Sequence, residues 1–194
     1  MDIDYFASDR LIEPASGDLL ISEPYLLDKN FERSVVLLCE HNAEGTFGLV
    51  LNHATGHRFD EVVPDVSKFD SEIFVGGPVQ QDTLHFIHRA PDQIDHVIKI
   101  QEQLFYGGSQ DKLMTLIDTF QIRMEDFKFF VGYSGWSPGQ LMDELKAKSW
   151  IVYKGIDSND LFDIPSNKLW KHILSKMGGK YKAIANYPVD PRMN

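Results

Sequence analysis

The sequence predicts an α+β domain built on mostly antiparallel sheet. Three observations carry that prediction. Short β-prone runs outnumber helical stripes, many neighbouring runs have short connections, and no Pro/Ser-rich linker divides the 194 residues. Residues 1–16 read as an N-terminal arm, 17–179 as the domain and 180–194 as a C-terminal tail, extended or disordered.

In the arm, Ile3, Tyr5, Phe6, Leu11 and Ile12 are apolar enough to pack on a core or on a second subunit. A first strand spans Leu19 to Ser22, and Pro24 ends it because proline cannot donate to a ladder. The stretch Phe31 to Asn52, FERSVVLLCEHNAEGTFGLVLN, is the scaffold of the chain. Ser34 to His41 and Phe47 to Asn52 pair as a hairpin across Asn42–Thr46, with Gly45 at a left-handed position closing a bulged turn. Alternation puts Val35, Leu37, Cys39 and His41 on one face and Ser34, Val36, Leu38 and Glu40 on the other. Both faces are mostly apolar, as in a central strand covered on both sides.

Residues His53 to Pro64 offer one or two helical turns. Strands follow at Glu72–Val75, Thr83–His88 and His96–Ile100, with the apolar pair Leu104-Phe105 beyond. Ser109 caps a helix whose stripe is Leu113, Leu116, Ile117 and Phe120. Phe127–Tyr133 is the most β-prone run and reads as a central strand. Ser137 and Gln140 form a capping box with Pro138 at the first helical position, and Leu141, Met142 and Leu145 face inward. Trp150–Tyr153 is a strand and Leu161-Phe162 a short anchor. Ser166 caps a last helix that Gly178-Gly179 ends. Strand–helix–strand passages near 105–133 and 127–153 leave room for local parallel pairs.

Composition excludes several functions. The net charge is −10, from 29 acidic and 19 basic residues. The densest basic stretch, Lys168–Lys182, reads as a solvated helix face, so direct nucleic-acid binding is not expected. The acidic start and the absence of a long apolar run argue against a signal peptide and a membrane span, so a soluble cytoplasmic protein is expected. The single cysteine, Cys39, rules out an internal disulfide.

Four places could carry chemistry. Cys39 with His41 could make a thiol–base pair, but a cysteine inside VVLLCEH reads as a small buried hydrophobe. Glu40, His41 and Asn42 form a polar cluster at the hairpin mouth, either an acid–base pair or a tie for the turn. His85 and His88 point to opposite strand faces and cannot chelate together, so no metal site and no cofactor is expected. The glycine turns Gly76-Gly77-Pro78, Gly107-Gly108-Ser109 and Ser134-Gly135-Trp136 follow a strand or open helices, where backbone N–H groups suit an anion. None is a dinucleotide or phosphate-loop fingerprint, and the other reading is turns that need glycine for backbone reasons. The candidate ligand residues are therefore Glu40, His41, Asn42, Gly76, Gly77, Gly108, Ser134, Gly135 and Trp136, with no catalytic residue assigned.

The hairpin, then IFVGGPVQQDTLHFIH, YGGS before a helix, FFVGYSGWSPGQLMDEL with Trp150 beyond, and a final LF…W…L resemble the YqgE/AlgH family of bacterial proteins. The likeness runs from about Gly17 to Gly179. It departs where His53-Ala54 stand in place of a basic residue and proline, and in the longer C-terminal tail. The resemblance implies a coiled, bifurcated, barrel-like antiparallel sheet flanked by helices. It implies no defined reaction. One member's name reflects a proposed role in transcriptional regulation of exopolysaccharide synthesis. Two readings stand: a non-enzymatic regulatory protein that binds a protein or small ligand, or a hydrolase or transferase whose small anionic substrate sits at the glycine turns. The oligomeric state and the partner are not fixed by the sequence.

Overall fold

The computed structural model describes residues 11–64, 66, 69–155 and 157–188; the first ten residues of the arm and the last six of the tail lie outside them. The chain is one α+β domain on a ten-stranded sheet that does not close. Strands β1 (Leu19–Ser22), β2 (Val35–Asn42) and β3 (Gly45–Val50) form an antiparallel meander, and β10 (Trp150–Tyr153) pairs on the outside of β1. Strand β9 (Phe127–Trp136) joins this half to the other. There β6 (Val79–His88), β8 (Leu104–Tyr106) and β7 (Ile98–Gln101) continue the sheet.

The sheet forks at β9. The C-terminal end of β9 pairs antiparallel with β3, Thr46 opposite Trp136. Its N-terminal half pairs in parallel with β5 (Glu72–Val75), Phe74 opposite Phe130, and β4 (Ala54–Arg58) hangs from β5. Strand β6 takes the other side of β9 along its length. The parallel pair is therefore β5–β9, and neither of the two passages suggested by the sequence makes one.

Three cores explain why both faces of the hairpin are apolar. Leu19, Val35, Leu37, Cys39 and Leu49 pack with Leu169, Trp170, Ile173 and Leu174 of α5 (Ser166–Met177). The opposite face, with Leu20, Val36, Leu38 and Val50, meets Leu141 and Leu145 of α3 (Gln140–Lys146). Phe86, Phe127 and Phe129 pack with Phe59 of α1 (Phe59–Val62) and with Leu113, Leu116 and Ile117 of α2 (Gln110–Asp118).

Local chemistry corrects several boundaries. Helix α2 stops at Asp118, Thr119 caps it and Phe120 takes φ 54°, so Phe120 leaves the stripe and stands 77% exposed. Ser137–Gln140 closes as a turn with Pro138 second and Gly139 at φ 81°, which are the residues a type II turn demands, and α3 starts only at Gln140. Gln140 still accepts the Ser137 N–H, so half of the capping box forms. Two short helices were not foreseen. One is α4 (Ser158–Asp163) at the Leu161 anchor, and the other is α6 (Gly179–Ile184), which begins where an extended tail was expected.

Candidate functional site

The hairpin turn is tighter than its sequence suggests. Asn42 pairs with Gly45, leaving a two-residue loop of Ala43 and Glu44, and the irregularity lies elsewhere. Register slips between Leu38 and Glu40, so Cys39 is the extra residue of a bulge. Beyond it, Glu40 stands opposite Phe47 and His41 opposite Thr46. The bulge thus undoes the predicted alternation. Cys39 stays in the core at 5% exposure, its thiol pushed far up by burial, while His41 turns to the other face and hydrogen-bonds Thr46 Oγ1 through Nδ1 at 2.7 Å. Cys39 and His41 form no pair. Glu40 is brought to the side of Phe47, where Asn42 Nδ2 donates to its Oε1 at 2.6 Å. Asn42 is itself held by the Glu44 N–H donating to Oδ1 at 2.8 Å, so the turn sets the carboxylate's orientation.

A shallow groove of about 450 Å³ opens beside this mouth. Glu40, Asn42 and Glu44 form one rim, Phe47, Tyr133 and Gly135 the floor, and Ser137 and Pro138 the far side. A second groove of about 370 Å³ adjoins it, sharing Gly135 and Trp136, with Asp28, Phe31, Glu144 and Trp150 around it. Trp136 is buried in the third core at 5% exposure, so mainly its surroundings form the groove. Its indole N–H and that of Trp150 both donate to Glu144 Oε2, at 2.9 and 2.7 Å, and Gln140 donates to Oε1 at 3.0 Å. Phe31 stacks on Trp136 and meets Trp150 edge-on. This Trp–Glu–Trp clamp was missed. Its signal is in the sequence, since Gln140 and Glu144 are one helical turn apart between the two tryptophans.

The glycine turns divide. Gly76 and Gly77 carry the chain from β5, on one side of β9, to β6 on the other. A Cβ on Gly76 would strike the Gly132 carbonyl, and one on Gly77 the Tyr133 carbonyl. Gly132, at φ 67°, faces the carbonyls of Gly77 and Val79, each 2.8 Å from where its own Cβ would stand. Val50 N–H and buried Ser134 Oγ–H both donate to the Gly76 carbonyl, at 2.8 and 3.0 Å. These residues are used up in a backbone crossing. Gly108 packs on Ile94 and Asp95 in the second core and lines neither groove. The sequence candidates that come together are Glu40, Asn42, Gly135 and Trp136.

Two histidines are placed by their partners. The half-buried His85 ring lies among Phe47, Tyr106 and Tyr133, next to the first groove. Thr83 donates its hydroxyl to the Gln80 carbonyl, so it accepts from His85 Nε2–H, and Nδ1 accepts the Tyr106 O–H at 2.8 Å. Burial lowers the imidazole and pushes the phenol up to about 12, which keeps both neutral. His88 is fully buried and stacked on Phe127. Ala90 N–H donates to its Nδ1 and its Nε2–H donates to the Gly107 carbonyl, so no nitrogen is left for a ligand. Lys128 is an unforeseen buried cation. Desolvation lowers it to about 8, its Nζ donates to the Leu161 carbonyl at 2.9 Å, and it lies over the Phe74 ring.

Among the described residues no cluster of three or more His, Cys, Asp or Glu could hold a metal ion, and no helix is long and apolar enough to cross a membrane. Among the described residues lining the two grooves, the charged ones are Glu40, Glu44, Asp28 and Glu144, all acidic. An anion entering either groove would meet carboxylates.

Comparison with known proteins follows the same outline. A family model described as AlgH-like matches residues 19–182. A UPF0301 protein of Cytophaga hutchinsonii is 45% identical over 179 residues, 92% of this chain and 98% of that protein. One of Chlorobaculum parvum is 41% identical over 180 residues, 92% and 95% of the two chains. Among solved structures, the solution structure of the AlgH protein of Pseudomonas aeruginosa superposes with a TM-score of 0.71 at 27% identity, covering 93% of this chain and 98% of its own. A crystal structure from Corynebacterium diphtheriae gives a TM-score of 0.78 at 20% identity, covering 94% and 97%.

Proposed function

The chain belongs to the AlgH-like family, and we propose that it is a non-enzymatic, cytoplasmic regulatory protein that binds a protein partner in the paired grooves around Gly135. The observation that carries this reading is Gly135 itself. Glycine inside a strand weakens it, and its usual excuses are a left-handed backbone or another backbone pressed close. Gly135 has neither, since only the Tyr133 ring approaches its missing Cβ, at 3.3 Å. Gly135 is exposed and lines both grooves. The floor carries half-buried aromatic rings and the rim exposed carboxylates, as expected for a surface that docks protein. The thiol is buried, His85 is engaged on both nitrogens, and the Thr46 hydroxyl, hydrogen-bonded to His41 Nδ1 at 2.7 Å, is itself buried. A role in transcription-linked regulation would then pass through the partner.

The test is site-specific photo-crosslinking in living cells. A photoreactive residue at Glu44 or Ser137, on the rims, is expected to trap a protein of defined mass, while one at exposed Lys112 on α2 is not. Identical products at all three positions, or none at the rims, would remove the reading.

A further inference from the structure

We infer that the groove accepts an arginine side chain from an extended segment of the partner protein, the guanidinium lying on the Tyr133 ring with Glu40 as its counter-charge. This rests on the docking reading above and names the chemistry of what docks. Three features converge. The first groove carries Glu40 and Glu44 and the adjoining one Asp28 and Glu144, with Gly135 and Trp136 common to both linings. The acidic lining complements a segment that carries basic residues.

The Glu40 carboxylate is also oriented in advance. Asn42, pinned by the turn, engages Oε1 and leaves Oε2 without a partner among the described residues. Phe47 and Tyr133, their ring centroids 5.0 Å apart, line the first groove beside Gly135. A planar guanidinium can stack on an aromatic face while donating to a carboxylate at its edge. The ammonium of lysine, a compact and strongly hydrated charge, does this less well. In the second groove, the two indole N–H bonds hold Glu144 in place, so it contributes field more than contact.

The experiment measures binding of labelled, acetylated and amidated peptides Ala-Ala-Arg-Leu-Arg-Ala-Ala to the full chain by fluorescence anisotropy. Lysine, citrulline or glutamate replaces arginine in matched peptides. Arginine is expected to bind about tenfold tighter than citrulline, its neutral isostere, with lysine between them, and the preference is expected to shrink as salt rises. Glu40→Gln should bring arginine and citrulline within about threefold, and Glu44→Lys, at an exposed turn position, should weaken the arginine and lysine peptides and leave the citrulline peptide unchanged. Gly135→Leu should abolish binding of every peptide. Equal binding of arginine and citrulline, stronger binding of the glutamate peptide, or no arginine-peptide binding at millimolar concentration overturns the inference. Displacement of a bound peptide by spermidine as readily as by the arginine peptide would overturn it in favour of a small cation. If peptides bind but Gly135→Leu binds as well as wild type, the fault lies in the groove assignment. If Gly135→Leu is lost and arginine is not preferred, the groove stands and only the arginine falls.

Discussion

Two glycine-bearing segments touch the same strand and do opposite things with it. At Gly76-Gly77, against Gly132, glycine lets one backbone cross another with nothing between them. At Gly135, three residues further along β9, the missing Cβ would meet only the Tyr133 ring, and the glycine is exposed on the groove lining. In sequence the segments VGGPV and YSGWS look alike, and both read as anion seats. The difference teaches that a glycine motif is interpreted by what its missing Cβ would meet. Where that is a carbonyl of another strand, the glycine belongs to the fold. Where that is one ring edge and open solvent, it is available for binding.

The contrast can be broken most forcefully at the crossing. Gly77→Ala puts a methyl group onto the Tyr133 carbonyl at φ 155°, and a destabilisation of about 3 kcal/mol or more is expected by urea denaturation. A loss below about 1 kcal/mol would mean that the crossing is loose. Ser134→Ala should cost about 1–2 kcal/mol, because it leaves the buried Gly76 carbonyl with one donor fewer. The same denaturation curves measure it.

Acid tests the two regions through their histidines. Burial lowers His53, His85 and His88 below the ordinary value of about 6.5. Between that value and the folded value the unfolded chain binds more protons. Stability is therefore complete above about pH 6.5 and is lost as pH falls below it toward the folded values. His88→Asn in the closed core should flatten this acid slope more than His85→Gln beside the groove. An equal effect would place His85 as deep as His88. The smallest effect is expected at Gly135→Ala, within about 0.5 kcal/mol of wild type, since only the Tyr133 ring must shift. Stability retained with peptide binding lost would be the sharpest form of the comparison.

The scaffold was largely legible. Runs such as Val35–Leu38 and Phe127–Phe130 are short and almost continuously apolar, β-branched or aromatic, the pattern of strands covered on both faces. The site was legible only in fragments. Glu40 and Asn42 line the same groove, whereas strand alternation puts His41 on the wrong face because a bulge at Cys39 depends on cross-strand register and has no local signature. Gly76 and Gly77 read in sequence as an anion seat, when the decisive fact is a strand more than fifty residues away. The Trp136–Glu144–Trp150 clamp lay in plain view, yet capping logic had already assigned Gln140 to the backbone.

The fork at β9 also sets an order of events during synthesis. Strands β3, β5 and β6 all await partners that lie between Phe127 and Trp136, so the sheet cannot be joined until residue 136 has left the ribosome. Until then more than a hundred residues of β-rich chain present unpaired edges, the β5 pairing being parallel and long-range, which is the slow and association-prone kind. Nascent chains shorter than this leave the β9-facing edges of β3, β5 and β6 uncovered.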